Sequence, residues 1–210
     1  MSQPASPAPP ESAAQTDTGD SAVMHAAEQF LHLARLVHGG EQPPEAQSLT
    51  PAQWMALRYF ARANRLSRTP SAFSEFHATT RGTASQVVKS LIKAGLLARK
   101  TNQADGRSAL IEVTAAGQAQ LRHDPITAMG DAIEALPAEA REAFTRSLAK
   151  IGVALARQRR GPIFGNCADC SHCDRSQPEA PWCHCMQTPI ERDEMAAICV
   201  DFSPGAHRAG

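Results

Sequence analysis

The stretch from Leu49 to Thr114 constrains the fold of this chain more than any other part of it. "LTPAQWMALRYFARA" opens with Thr50 as an N-cap and Pro51 at the first helical position, and it sends Trp54, Leu57 and Phe60 to one face. "TPSAFSEFHA" predicts a second, short helix with Thr69 as cap and Pro70 in its first turn. "TRGTASQVVKSLIKAGLL" predicts a third, in which Val87, Val88, Leu91 and Ile92 form the apolar stripe and Gly95 supplies a left-handed stop. "LLARKTNQADGRSALIEVT" then reads as two strands joined around Asp105-Gly106, a hairpin signal.

Helix, short helix, helix and hairpin is the order of a winged helix-turn-helix, so the expected class is mainly α (α+β). At 210 residues and 42% hydrophobic content, the chain can bury one main core with extensions on it. Residues 1–20 are Pro-rich and poor in apolar surface, and are expected to be a disordered tail. "SAVMHAAEQFLHLARLV", Ser21 to Val37, has helical apolar spacing and is stopped by Gly39-Gly40. Asp124 and Pro125 predict that the helix after the hairpin is kinked or restarted. A last helix begins with Pro137 in its first turn and spaces Phe144, Leu148, Ile151 and Leu155 into a stripe that must bury against a partner or the chain's own core.

Formal net charge is +0, so no global field draws the chain to nucleic acid or membrane, and any such partner must be met by a local patch. One exists. Between Thr80 and Arg107 lie Arg81, Lys89, Lys93, Arg99, Lys100 and Arg107 against the single acid Asp105, a local charge of +5. On the third helix Arg81, Thr83, Ser85, Gln86 and Lys89 fall near the N-terminal end that enters a major groove in this architecture. Gln can pair with adenine edges, while Ser, Thr and Lys serve bases or phosphates. Arg107, at the hairpin tip, is placed to reach a minor groove. The expected partner is double-stranded DNA. No nucleophile-base arrangement, phosphate loop or dinucleotide fingerprint points to an enzyme. The N-terminus has no secretory pattern and no apolar run can span a bilayer, so a cytoplasmic protein without membrane contact is expected.

The six cysteines, Cys167, Cys170, Cys173, Cys183, Cys185 and Cys199, all follow residue 166. In a reducing compartment such a cluster reads as metal or redox ligands before disulfides. A segment with so little apolar content gains folding energy from a metal centre. Zinc sites favour two close ligand pairs; here Cys167-x2-Cys170 is one, with Cys183-x-Cys185 or Cys199 as its complement and His172 and His184 nearby. The Cys-x2-Cys-x2-Cys run also matches the opening of a ferredoxin cluster motif, with the fourth cysteine missing before Pro178. Spacing leaves zinc and iron-sulfur both open.

"LTPAQWMALRYF", "TTRGTASQVVKSLIKAGLLARK" and "ADGRSALIEVTAAGQAQL" together resemble the MarR family of dimeric bacterial transcription regulators, over residues 21–160. The resemblance implies a DNA-binding and dimerisation domain, a homodimer built from helices of both chain ends, and a pseudo-palindromic operator. It also implies that Thr83, Ser85, Gln86 and Lys89 lie on the recognition helix and Arg107 in the wing, although Gly106 stands where many relatives carry Arg. "CADC", "WCHCMQTPI" and "ICVDF" resemble a four-cysteine C-terminal extension found on some MarR-like regulators. That second resemblance selects Cys167, Cys170, Cys183 and Cys199, leaving Cys173 and Cys185 as substitutes or resolving thiols. It makes residues 161–210 a small metal-stabilised extension carrying an iron-sulfur cluster, with zinc as the alternative. The implied function is a repressor whose operator binding responds to redox state, nitric oxide or iron; the alternative is a zinc-stabilised regulator that answers to a small organic ligand.

Overall fold

The computed structural model describes residues 17–39, 47–101, 109–177 and 179–205. The chain divides into two compact units, residues 1–41 and 42–210. The first contributes one helix, α1 (Asp17–His38). It starts at Asp17, inside the stretch expected to be tail. Its apolar side chains stay exposed: Val23, Leu31 and Leu36 are each more than half accessible.

In the second unit, α2 (Pro51–Arg62) carries a full capping box: Thr50 Oγ1 accepts from Gln53 N, and Gln53 Oε1 accepts from Thr50 N at 2.9 Å. Trp54, Leu57 and Phe60 are buried as the spacing predicts, each worth about 1.5–3 kcal/mol of apolar burial. α3 (Pro70–Phe76) is capped by Thr69, and α4 (Arg81–Lys93) by Thr80. Gly95 ends α4 with φ 74°, the left-handed conformation read from the sequence. β1 (Leu97–Thr101) and β2 (Ala109–Val113) pair antiparallel from Leu97↔Val113 to Thr101↔Ala109. The hairpin tip, with Asp105, Gly106 and Arg107, lies outside the described residues.

The core joins α2, α3, α4 and the hairpin through Trp54, Leu57, Phe60, Phe73, Val88, Leu91, Leu96 and Ile111. α5 (Ala115–Leu121) is capped by Thr114, and its Gly117 sits so close to the Gly95-Leu96 turn that an added Cβ would meet Leu96 O at 2.2 Å. The predicted restart occurs: α6 (Ile126–Glu134) begins after Asp124, whose Oδ1 accepts from Ile126 N at 2.9 Å and from Arg58 Nη1 at 2.7 Å. α7 (Ala138–Gln158) has Pro137 as its N-cap residue, one step before the expected first turn, and it buries no residue.

Past α7 the chain becomes a set of two-residue strands. β3 (Gly165–Asn166) pairs with β7 (Ile198–Cys199), while β4 (Cys173–Asp174), β5 (Trp182–Cys183) and β6 (Thr188–Pro189) make a second small sheet. Single 3-10 turns lie at Cys167–Asp169 and Arg192–Glu194. Too small to bury itself, this module leans on the winged helix. Ile198 and Val200 pack against its core, and Phe164 meets Phe76 edge-on at 4.8 Å.

Candidate DNA-reading face and cysteine module

α4 splits cleanly into two faces. Ala84, Val88 and Leu91, at helical spacing, are buried, whereas Arg81, Thr83, Gln86, Lys89 and Lys93 are exposed and Ser85 is half-buried. The side chains of Gln86, Lys89 and Lys93 have no hydrogen-bond or ion-pair partner among the described residues, so they are free to meet a ligand. The Thr83 hydroxyl instead lies 2.9 Å from that of Thr80 within the N-cap. Gln53 Nε2 donates to Ser90 Oγ at 3.0 Å and fixes α4 against α2, which orients the polar face. On the hairpin Arg99 and Lys100 are exposed, and Lys100 pairs with Glu112 at 3.0 Å. Arg107, the wing residue expected to touch DNA, lies outside the described residues. The exposed face is therefore cationic and amide-bearing, with no acid in the first turn of α4.

All six cysteines are free thiols. Cys167, Cys183 and Cys199, three of the four expected ligands, line one pocket with Asn64, Arg65, Leu66 and Glu194. Cys170 and Cys173 join them electrostatically. Burial pushes the Cys167 thiol up to about 11, and the neighbouring sulfurs of Cys199, Cys173, Cys170 and Cys183 add to that rise by repelling its thiolate. Burial also raises Cys199, against the opposing effect of hydrogen bonds from the Asn64 side chain and the Asp201 backbone. Cys185 is exposed at the module's rim. Among the described residues no three His, Cys, Asp or Glu side chains already converge as a metal site.

The residues that hold this module to the fold were not anticipated. Ala63 and Ile198 form a parallel bridge, with Asn64 N donating to Ile198 O at 2.9 Å. Val200 N donates to Ser67 Oγ at 2.9 Å, and Arg65 N donates to Glu194 Oε1 at 2.9 Å. The Arg65 guanidinium pairs with the Glu194 carboxylate and reaches Thr188 Oγ1 at 3.2 Å. On its other side the same turn is bonded into the hairpin, where Ile111 N donates to Arg68 O at 2.8 Å, and Tyr59 Oη donates to Ser67 O at 2.8 Å. Asn64 to Arg68, the α2–α3 turn, thus lies between the cysteine pocket and the hairpin strand β2. No local pattern marks Arg65 or Glu194, because the partners are 129 residues apart.

Comparison with known proteins agrees with this architecture. The family model described as MarR family matches residues 47–108. Among solved structures, a MarR family transcription regulator aligns with TM-score 0.52 at 18% identity, covering 70% of this chain and 95% of that one. A probable transcriptional regulator from Pseudomonas aeruginosa aligns at 24% identity and TM-score 0.49, covering 63% of this chain and 98% of that one. The PcaV transcriptional regulator from Streptomyces coelicolor, in complex with its natural ligand, aligns at 22% identity and TM-score 0.48, covering 62% and 92%. No curated protein matches the chain. No helix among the described residues is long and apolar enough to cross a membrane. With the capped helices and the Gly95 stop in place over the matched segment, residues 47–108 are similar to the MarR family and lie in a winged-helix fold.

Proposed function

We propose that this protein is a sequence-specific DNA-binding transcriptional regulator, a repressor that works as a homodimer on a pseudo-palindromic operator. Its operator binding is modulated through an iron-sulfur site made by Cys167, Cys170, Cys183 and Cys199. The observation that carries this reading is the placement of the thiols against the α2–α3 turn, whose other side is bonded to the wing strand β2. The donor set fits a thiolate-bound group: three of the four sulfurs share a pocket, and Cys170 lies within electrostatic reach of Cys167. When bound, such a cluster supplies a centre that oxidant, nitric oxide or iron scarcity can alter or remove.

The chain's own residues supply the rest. Arg81, Gln86 and Lys89 on α4, with Arg107 of the wing, serve bases and phosphates. Asn64, Arg65 and Ser67 hold the cysteine module to the turn that spaces α2 from α3, so a change in the module's packing biases the reading head directly. Only about 1.4 kcal/mol of differential stabilisation gives a tenfold change in affinity. Dimerisation is supported by α7, where Ile151 and Leu155 are 45% and 51% exposed on an otherwise regular apolar stripe. The exposed apolar side chains of α1 support it independently.

Anaerobic purification with iron, sulfide and zinc analysis tests the site, and affinity for an operator selected from random-sequence DNA tests the function. We expect iron and sulfide, a dimer by sedimentation, and at least about a tenfold affinity change on air exposure that Cys167→Ala and Cys183→Ala abolish. A colourless protein holding one zinc per chain would overturn the cluster and favour the zinc-stabilised alternative. Selection that yields no preferred sequence would overturn the regulator itself.

A further inference from the structure

We infer that Cys173 and Cys183 form a reversible cross-strand disulfide when the module carries no metal, making the β4–β5 ladder a thiol-oxidation site. The two residues face each other directly in the antiparallel register, Cys173↔Cys183. His184 N donates to His172 O at 2.9 Å, so the adjoining pair is the hydrogen-bonded one and Cys173↔Cys183 is a non-hydrogen-bonded pair. Such pairs hold their Cα atoms about 4.5 Å apart, inside the roughly 4.4–6.8 Å that a disulfide spans. The side chains also share a face. Asp174 and His184 meet at 3.6 Å across the ladder, and strand alternation then puts Cys173 and Cys183 together on the opposite face. Both are half-buried free thiols, open to a small oxidant.

With hydrogen peroxide the step balances. One thiolate attacks peroxide, forming an S–O bond as the O–O bond breaks, and hydroxide leaves as water with that thiol's proton. The facing thiolate then attacks the sulfenic sulfur, the S–S bond forms, and a second water leaves with the second proton. Two thiols are oxidised and one peroxide is reduced to two waters. Cys183 is also one of the four proposed ligands, so pairing with Cys173 removes it from the donor set. The pairing stands on the register alone; the competition rests on the ligand reading given above.

The test treats the full-length, chelator-stripped protein with hydrogen peroxide, alkylates the remaining thiols and digests with trypsin without reductant. Trypsin separates Gly161–Arg175, with Cys167, Cys170 and Cys173, from Ser176–Arg192, with Cys183 and Cys185, so the Cys173→Ser and Cys185→Ser variants assign the link. We expect these two peptides linked, released by dithiothreitol, lost in Cys173→Ser and retained in Cys185→Ser. Absence of the link, its persistence in Cys173→Ser, or its loss in Cys185→Ser would overturn the pairing. Repeating the oxidation after loading with ferrous iron and sulfide should lower the yield about tenfold; an unchanged yield would overturn the competition and Cys183 as a ligand, and leave the pair intact.

Discussion

Replacing Arg65 with alanine should loosen the cysteine module from the winged helix without unfolding either. In the wild type the Glu194 carboxylate is 12% exposed and is held by the Arg65 guanidinium and the Arg65 backbone N–H. Truncation leaves the backbone N–H and a long contact from Glu191 N at 3.5 Å. Removing one partner of a fully buried pair costs about 3–5 kcal/mol. The guanidinium here is 34% exposed, so solvent screening lowers the expected cost to about 2 kcal/mol. The bonds from Asn64 to Ile198 and from Val200 to Ser67 remain, so the loss is felt as local opening. About 2 kcal/mol corresponds to a roughly thirtyfold larger open population. Cys199 reports that opening, because it is 6% exposed and falls alone in the tryptic peptide Asp193–Arg208. Maleimide labelling of the metal-free protein, followed by mass spectrometry, should proceed about thirtyfold faster at Cys199 in Arg65→Ala with unchanged far-UV circular dichroism. An increase below about threefold would place the pair among ordinary surface ion pairs and refute the docking role of Arg65.

Gly117→Ala should lower stability by about 1–3 kcal/mol in denaturant unfolding, since the new Cβ meets Leu96 O at 2.2 Å and Val113 Cγ1 at 2.7 Å. Lys89→Ala should weaken operator binding across sequences and reduce the salt slope by about one, whereas Gln86→Ala should cost about 1–3 kcal/mol at one base position only; anisotropy titrations over salt and operator variants separate the two. His77, depressed by burial and packed among Tyr59, Phe73 and Phe76, has its Nε2 buried without a hydrogen-bond partner among the described residues. Because its folded value lies below the ordinary 6.5, the unfolded chain takes up the proton first as pH falls. Stability should therefore decline below about pH 6.5, and His77→Gln should flatten that slope in urea titrations at stepped pH.

Most of the winged-helix half was legible because its determinants are local. Thr50 and Thr69 cap the helices they precede, Gly95 adopts the left-handed stop, and the α4 stripe separates Val88 and Leu91 from Gln86 and Lys89. Asp124 marks the restart, but its bond to Arg58 crosses 66 residues and leaves no local trace. The cysteine spacing pointed to a metal or redox site and the resemblance to a ligand set, yet neither carries anything about which cysteines share a pocket or what that pocket abuts.

The sequence by itself determined the order of the winged-helix elements, the Thr50 and Thr69 caps and the polar and apolar faces of the helices, since each depends on residues within a few positions of one another. Only the tertiary structure decided that the thiols sit against the α2–α3 turn, that Arg65 meets Glu194, and that Cys173 faces Cys183. A module built of two-residue strands has no periodicity to read. Its position follows from burying Ile198, Val200 and Phe164 on a surface that other parts of the chain build.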